Sequence, residues 1–509
     1  MLEFASRRSP VVCTGGCTAS SQPLATGAGL DILKKGGNAA DAAVAIAAVL
    51  SLTEPFSTGI GGDCNCLFYD TKTQSVFGLN GSGRCPQALT LDLLNSEGFD
   101  EKNPLPSVHA NLVTVPGAAA GWCDTVSLFG SKKLSLAEIL QPAINLAERG
   151  FPVTEITAFH WERGASILQS PGNPHGKDLL IEGRSPKSGQ IFKNPLLAQT
   201  FKGVRIWELP PNGQGIIALM ALNMLERYNI KELGHNSADY IHLLVEAFKL
   251  SLADGSWFCA DPTKVQVPLN ELLSKQYCQQ RSQLISLQRA SSQCLHGNPC
   301  EASGDTVYFT VVDEEGNACS FINSNCLTFG TGLVPEGCGF TLHNRGFQFS
   351  LGAEHPNSLA PGKRPCHSII PALATSSATG QLLCSFGVMG GIMQPQGQVQ
   401  VLLNMMEFGM NPQEALDAPR FRVEYEKPDG AWKLSLEEGI SQLAAQDLIT
   451  RGHSVSWPVS GHDRSLFGRG QIIAKGMWWK LWPVLTGEDN PGVLWAGSDP
   501  RADGCAFGY

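Results

Sequence analysis

DTVYFTVVDEEGNACSFINS, residues 305–324, decides the reading of this chain. TVYFTVVD is built of β-branched and aromatic residues, EEGN supplies a turn around Gly316 and Asn317, and ACSFINS returns as a second strand. Directly before this hairpin lies SLQRASSQCLHGNPCEASGD, residues 286–305, polar and rich in Ser and Gly. That composition marks an exposed loop and the strongest internal boundary of the chain. A loop open to cutting that runs straight into a strand beginning Asp305-Thr306 is a place where backbone scission leaves Thr as a new N-terminus. A terminal Thr is a nucleophile with its own base, because the freed α-amine lies beside its hydroxyl. The same residue also reads as an ordinary β-former at a strand start, so the local sequence leaves both readings open.

Outward from the hairpin, the texture alternates between helix and strand. Residues 29–52 carry Ala, Leu, Ile and Val at helical spacing, split at Gly36-Gly37, with Asn38 placed to cap a second, almost wholly apolar helix. Pro55, Gly59, Gly61 and Gly62 then make a turn that the strand from Cys66 to Asp70 leaves. Amphipathic helices are expected over Leu134–Phe151, stopping at Gly150, and over Ser237–Asp254. After the hairpin, strands are expected at Gly339–His343 and Leu382–Gly387, and a late helix at Gln396–Phe408. Helical layers around β-sheets give an α/β layered fold, although periodicity does not fix the number of sheets.

Composition narrows the function classes. The chain has 509 residues, 43% hydrophobic and 16% charged, with 46 acidic against 37 basic residues and a formal charge of -9. That is ordinary globular composition, without the basic patch that tracks a nucleic-acid backbone. Ala39–Leu52 is too short to span a bilayer, and the first residues lack the apolar core of a secretory signal, so a cytoplasmic protein with no membrane or nucleic-acid partner is expected. Sixteen Cys without paired CxxC spacing read as free, mostly buried thiols, and Cys64 with Cys66 is a poor zinc pair.

Many separated stretches, in order, give the chain a resemblance to the gamma-glutamyltranspeptidase (glutathione hydrolase) family. They include ATGAGLDILKKGGNAADAAVAIAAVLSLTEPFSTGIGGD from residue 25, VTVPGAAAGW at 113–122, PAINLAERGFPV at 142–153, PPNGQG at 210–215 and VEAFKLSLAD at 245–254. The likeness continues through DTVYFTVVDEEGNA at 305–318, PGKRP at 361–365, GVMGG at 387–391, LDAPRF at 416–421 and the terminal SDPRADGCAFGY. The resemblance implies an αββα sandwich of the N-terminal-nucleophile hydrolase type, made as one chain and self-cut between Asp305 and Thr306. The products would be a large subunit, 1–305, and a small subunit, 306–509, intertwined as one domain. It further implies transfer of a γ-glutamyl group from glutathione or another γ-glutamyl amide to water, an amino acid or a peptide, with no cofactor and no metal.

The family's roles fall on Thr306 as nucleophile, Ser324 as its supporting hydroxyl, and Gly390 and Gly391 as the oxyanion glycines. Substrate-binding positions fall on Ser82, with Arg84 as the nearest Arg, and on Gln348, His367 and Ser368. Three departures stand out. The carboxylate-binding Arg is replaced at Ser82, the acidic residue that meets the glutamyl ammonium is replaced by Gln348, and the first of two pocket serines is His367. Losses at the substrate end beside an intact nucleophile resemble the branch of glutathione hydrolase-like and cephalosporin acylase proenzymes. They keep open an acylase of non-glutamyl amides. Val307-Tyr308, where many members have Thr-His, keeps open an uncut relative that acts as a binding protein.

Overall fold

In the computed structural model, the described residues are 6, 8–170, 172–203, 220–221, 224–225, 228–258, 275–291, 306–426, 431–480 and 492–509. Asp305, the PPNGQG stretch and most of the loop before Thr306 lie outside them.

The hairpin forms as read. Thr306–Val312 and Ala318–Ser324 pair antiparallel from Thr306 opposite Ser324 to Val312 opposite Ala318. Gly316, at φ +88°, allows the return, where its N–H donates to Asp313 O at 3.0 Å. This hairpin is the centre of a six-stranded antiparallel sheet, ordered Cys505–Gly508, Cys17–Ser20, Thr306–Val312, Ala318–Ser324, Asp63–Asp70, Ser75–Gly81. A five-stranded antiparallel sheet, ordered Val11–Cys13, Leu494–Ser498, Arg469–Lys475, Leu382–Met389, Ala372–Thr375, lies over one face of it.

The period of two sorts the hairpin residues between layers. Val307, Phe309 and Val311 pack with Cys319 and Phe321 into the core under the Ala39–Thr53 helix. Tyr308 instead clusters with Ile322, Ile369 and Met389, and Thr310 Oγ1 lies 2.5 Å from Ser385 Oγ of the facing sheet. Val307 is therefore a core residue and Tyr308 an inter-sheet residue. On the far side, Met393–Met406 covers the five-stranded sheet through Val401 and Met405 against Cys384, Phe386, Val388 and Ile472. Helix, sheet, sheet and helix stack in that order, the αββα sandwich.

Ala39–Thr53 is buried along its whole length, which its Ala-rich sequence permits. A capping box between Asn38 and Asp41 starts it, an arrangement worth ~1 kcal/mol. The preceding helix, Pro23–Lys34, begins earlier than periodicity indicated and crosses it closely at Gly29, where a Cβ would lie 2.5 Å from Ile46 Cδ1. The Leu136–Arg149 and Ala238–Phe258 helices match their expected stretches. The strand out of the glycine turn starts at Asp63 rather than Cys66, and Cys64 and Cys66 belong to the helix-facing core. The described cysteines are free thiols.

Gly339–His343 is not a strand. Gly337 and Gly339 turn left-handed at φ +73° and +71°, which breaks the extended run. The segment is instead a loop pinned by His343 N–H to Gly61 O at 3.1 Å. The late helix starts at Met393, three residues before its expected position, because Pro395 is tolerated in a first turn.

Candidate active site

Thr306 opens its strand with its side chain buried between the two sheets. Its Oγ1 lies 3.0 Å from Ser324 Oγ, directly across the hairpin. Ser324 Oγ also accepts the Cys326 N–H at 2.9 Å, which fixes the hydroxyl between two partners and helps hold Cys326 at φ +74°. A hydroxyl placed so can orient Thr306 Oγ1 or accept its proton in passing.

The Leu382–Met389 strand runs opposite this site in matched steps. Thr310 meets Ser385, and a Cβ on Gly387 would touch the Tyr308 ring at 2.5 Å. Met389 packs with Tyr308 and Ile322. The same stride of two sets Met389 against the Thr306 end of the hairpin, with the Gly390-Gly391 turn following it in the chain. Both glycines have positive φ, +129° and +58°, and they lead into the Met393–Met406 helix through Met393 N–H to Gly390 O at 3.0 Å. A strand-to-helix turn of this kind collects backbone N–H donors and the positive end of the helix dipole, both suited to an oxyanion.

The turn is braced from behind. A Cβ on Gly390 would lie 3.0 Å from Gly468 Cα, and a Cβ on Gly468 would lie 2.2 Å from Met389 O. The Gly468 carbonyl accepts from Arg420 Nη1 at 3.3 Å, and Arg420 Nη2 reaches Asp499 Oδ2 at 2.7 Å. Arg501 joins Asp499 at 3.0 Å and Glu437 at 2.5 Å, and Arg464 joins Glu437 at 2.7 Å. The LDAPRF and SDPR stretches thus meet in one buried ionic cluster behind the Gly390-Gly391 turn.

Beyond Ser324 the next strand places Asp63 directly opposite, so Thr306, Ser324 and Asp63 form a row of facing residues. Asp63 was not among the expected site residues, yet it organises the pocket. Its Oδ1 accepts the Gly83 N–H at 3.0 Å; its Oδ2 accepts from His367 Nε2 at 2.9 Å and Arg345 Nε at 3.3 Å, with His343 Nδ1 at 3.2 Å. Burial alone would raise its carboxyl, but His343 and His367 hold it well below the usual carboxylate range. Burial first, then the Arg345 charge, pushes His367 down to about 4, so it is a neutral Nε2–H donor whose Nδ1 accepts the Ile369 N–H at 3.4 Å.

Of the remaining expected residues, Ser368 joins this cluster through Arg345. Ser368 Oγ accepts from Arg345 Nη1 at 3.1 Å. Ser82 is buried, its carbonyl taking Arg364 Nε at 2.8 Å. Gln348 is buried in the short Arg345–Gln348 turn with Nε2 4.0 Å from Cys326 Sγ. Arg84 is directed elsewhere, donating through Nη1 to Gly362 O at 3.0 Å. Sequence reasoning missed Asp63, His343 and Arg345, although the GIGGD and LHNRGFQ stretches that contain them were in view.

Comparison with known proteins follows the same lines. A family model described as gamma-glutamyltranspeptidase matches residues 25–205 and 200–509. The glutathione hydrolase-like YwrD proenzyme of Bacillus subtilis strain 168 is 32% identical over 98% of this chain and 99% of that protein. Acylase ACY 1 proenzyme of Pseudomonas sp. strain V22 is 32% identical over 89% of each. The crystal structure of cephalosporin acylase from Bacillus halodurans superposes with a TM-score of 0.86 at 35% identity, covering 99% of this chain and 98% of that one.

Proposed function

The chain belongs to the gamma-glutamyltranspeptidase family, and from that premise we propose that it is a self-processing amidohydrolase and acyltransferase that cleaves γ-glutamyl-type amide bonds through Thr306. The observation that carries the proposal is the buried Thr306–Ser324 hydroxyl pair at 3.0 Å. In maturation, Thr306 Oγ1 attacks the Asp305 carbonyl carbon, the C–N bond breaks, and water hydrolyses the resulting ester. The small subunit, 306–509, then begins with a free amine. That amine accepts the Oγ1 proton as the hydroxyl attacks the substrate carbonyl, and the Gly390 and Gly391 N–H groups hold the oxyanion. Loss of one such donor raises a barrier by roughly 3–4 kcal/mol. Collapse releases the protonated amine and leaves an acyl ester on Thr306. Water completes hydrolysis, or an amino acid or peptide amine completes transfer.

Two bands on a denaturing gel for the wild type and one for Thr306→Ala are expected, together with anilide release from γ-glutamyl-anilide by the cut protein only. A wild type that stays full length refutes the mechanism. A second reading, an acylase of non-glutamyl side-chain amides, is favoured by the neutral Gln348 and by Ser82 at the two substrate-end positions. Strong preference for γ-glutamyl-anilide over a glutaryl anilide would remove it. We place the reaction in the cytosol; no helix among the described residues is long and apolar enough to cross a membrane.

A further inference from the structure

Two thiols that the mechanism leaves idle meet at one edge of the sandwich. Cys13 ends the Val11–Cys13 strand of the five-stranded sheet, and Cys17 opens the Cys17–Ser20 strand of the six-stranded sheet. The turn between them, Thr14-Gly15-Gly16, crosses from one sheet to the other, and both cysteines pack in the apolar cluster between the sheets. Gly508 fixes how close they come: it pairs with Cys17 in the sheet, and a Cβ on it would lie 2.3 Å from Cys13 Sγ. The two thiols hydrogen-bond one another. The last residue of the chain holds the turn in place, with Gly15 N–H donating to Tyr509 O at 2.5 Å and Tyr509 N–H to Gly16 O at 3.2 Å. This edge is far from the nucleophile, because Cys17 lies opposite Val312, at the other end of the strand that Thr306 opens.

The pair is also unequal in the way thiol exchange requires. Cys13 is partly exposed, whereas Cys17 is fully buried. The hydrogen bond from Cys17, joined by one from the Tyr509 backbone, draws the Cys13 thiol below its ordinary range against the effect of burial; the same contact and burial push Cys17 up. A reactive thiol must be reachable as a thiolate, with a resolving thiol beside it. A second close pair, Cys66 and Cys319 with sulfurs 3.7 Å apart, fails the first condition, since both are sealed in the helix-facing core. We propose that Cys13 and Cys17 form a reversible dithiol–disulfide couple that low-molecular-weight disulfides oxidise. The Cys13 thiolate attacks one sulfur of the small disulfide, forming a mixed disulfide on Cys13 and releasing a small thiolate. That thiolate takes the proton of Cys17, and Cys17 attacks Cys13 Sγ and expels the second small thiolate, which takes up the proton Cys13 first gave to water. Two protein thiols become one disulfide, and one small disulfide becomes two thiols. The product is a covalent staple between the two sheets beside the C-terminal residue, made and broken by the thiol–disulfide balance around the protein.

The test incubates the full chain as wild type, Cys13→Ser and Cys17→Ser with excess oxidised glutathione, quenches in acid, and maps every cysteine by alkylation and peptide mass spectrometry. In the wild type, the peptide spanning Cys13 and Cys17 should lose two hydrogens and resist alkylation until dithiothreitol is added, while Cys66 and Cys319 stay thiols. Cys17→Ser should stop at a glutathione adduct on Cys13. Cys13→Ser should leave Cys17 unmodified, because the attacking thiol is gone and the resolving one is buried. Circular dichroism checks the fold of both variants, and the wild-type measurement decides the matter even if neither folds. Wild-type protein that keeps both thiols, that retains glutathione on Cys13, or that links Cys66 to Cys319 as fast as Cys13 to Cys17 overturns the proposal.

Discussion

Ser324 touches the nucleophile and the Cys326 N–H at once, so its removal acts on both. Ser324→Ala should slow self-cleavage about tenfold or more and cost about 1–3 kcal/mol through the orphaned Cys326 N–H. Timed gels of freshly made protein and urea titration check the two effects; unaltered cleavage would show that Ser324 is a strand residue only. Thr306 and Ser324 were legible through the family resemblance, and the hairpin around Gly316-Asn317 is what sets them opposite each other. Asp63 and Arg345 were not, since their meeting depends on pairing across 282 residues of chain. Nothing local in GIGGD distinguishes a pocket carboxylate from a turn residue.

At the scale of elements, the Gly390-Gly391 turn joins a strand to a helix under backbone constraint. Gly391 at φ +58° and Gly390 at φ +129° occupy conformations that side chains resist, so Gly390→Ala should lower kcat by roughly 100-fold while leaving the helix in place. Anilide turnover together with far-ultraviolet circular dichroism checks this, and an undiminished kcat would move the oxyanion site elsewhere. GVMGG was readable as a turn after a strand, but the packing of Met389 against Tyr308 and Ile322 came only from the facing sheet. Gly339–His343 failed as a strand for a related reason. Its apolar residues have strand composition, yet two left-handed glycines dictate the path. Periodicity reports burial; it does not report φ.

For the whole molecule, the buried ionic cluster ties the last residues to the core behind the site. Arg501→Met leaves Glu437 and Asp499 short of a partner and should destabilise the protein by about 3–5 kcal/mol, read as a lowered Tm. Stability should also fall in mild acid. His367 is held down to about 4 from its ordinary value of 6.5, so the unfolded chain binds its proton first as pH falls. That contribution is complete above 6.5 and fades between 6.5 and 4, on the order of 3 kcal/mol. Asp63 and Asp499, both depressed, add losses only below about 3.8. Urea midpoints of the uncut Thr306→Ala chain at pH 7 and 4.5 measure the difference, and equal midpoints contradict it. The layered α/β class was legible from alternating helix and strand texture, whereas the two-sheet stack was implied by the family resemblance. The cluster was not, because five charged residues far apart in sequence look like ordinary surface until they are buried together.

Intact-mass measurement of the freshly purified wild-type protein tests the central claim most directly. We predict two species, residues 1–305 and a 204-residue fragment whose N-terminus is Thr306. An active preparation whose small fragment begins at any other residue would contradict the assignment of Thr306 as nucleophile.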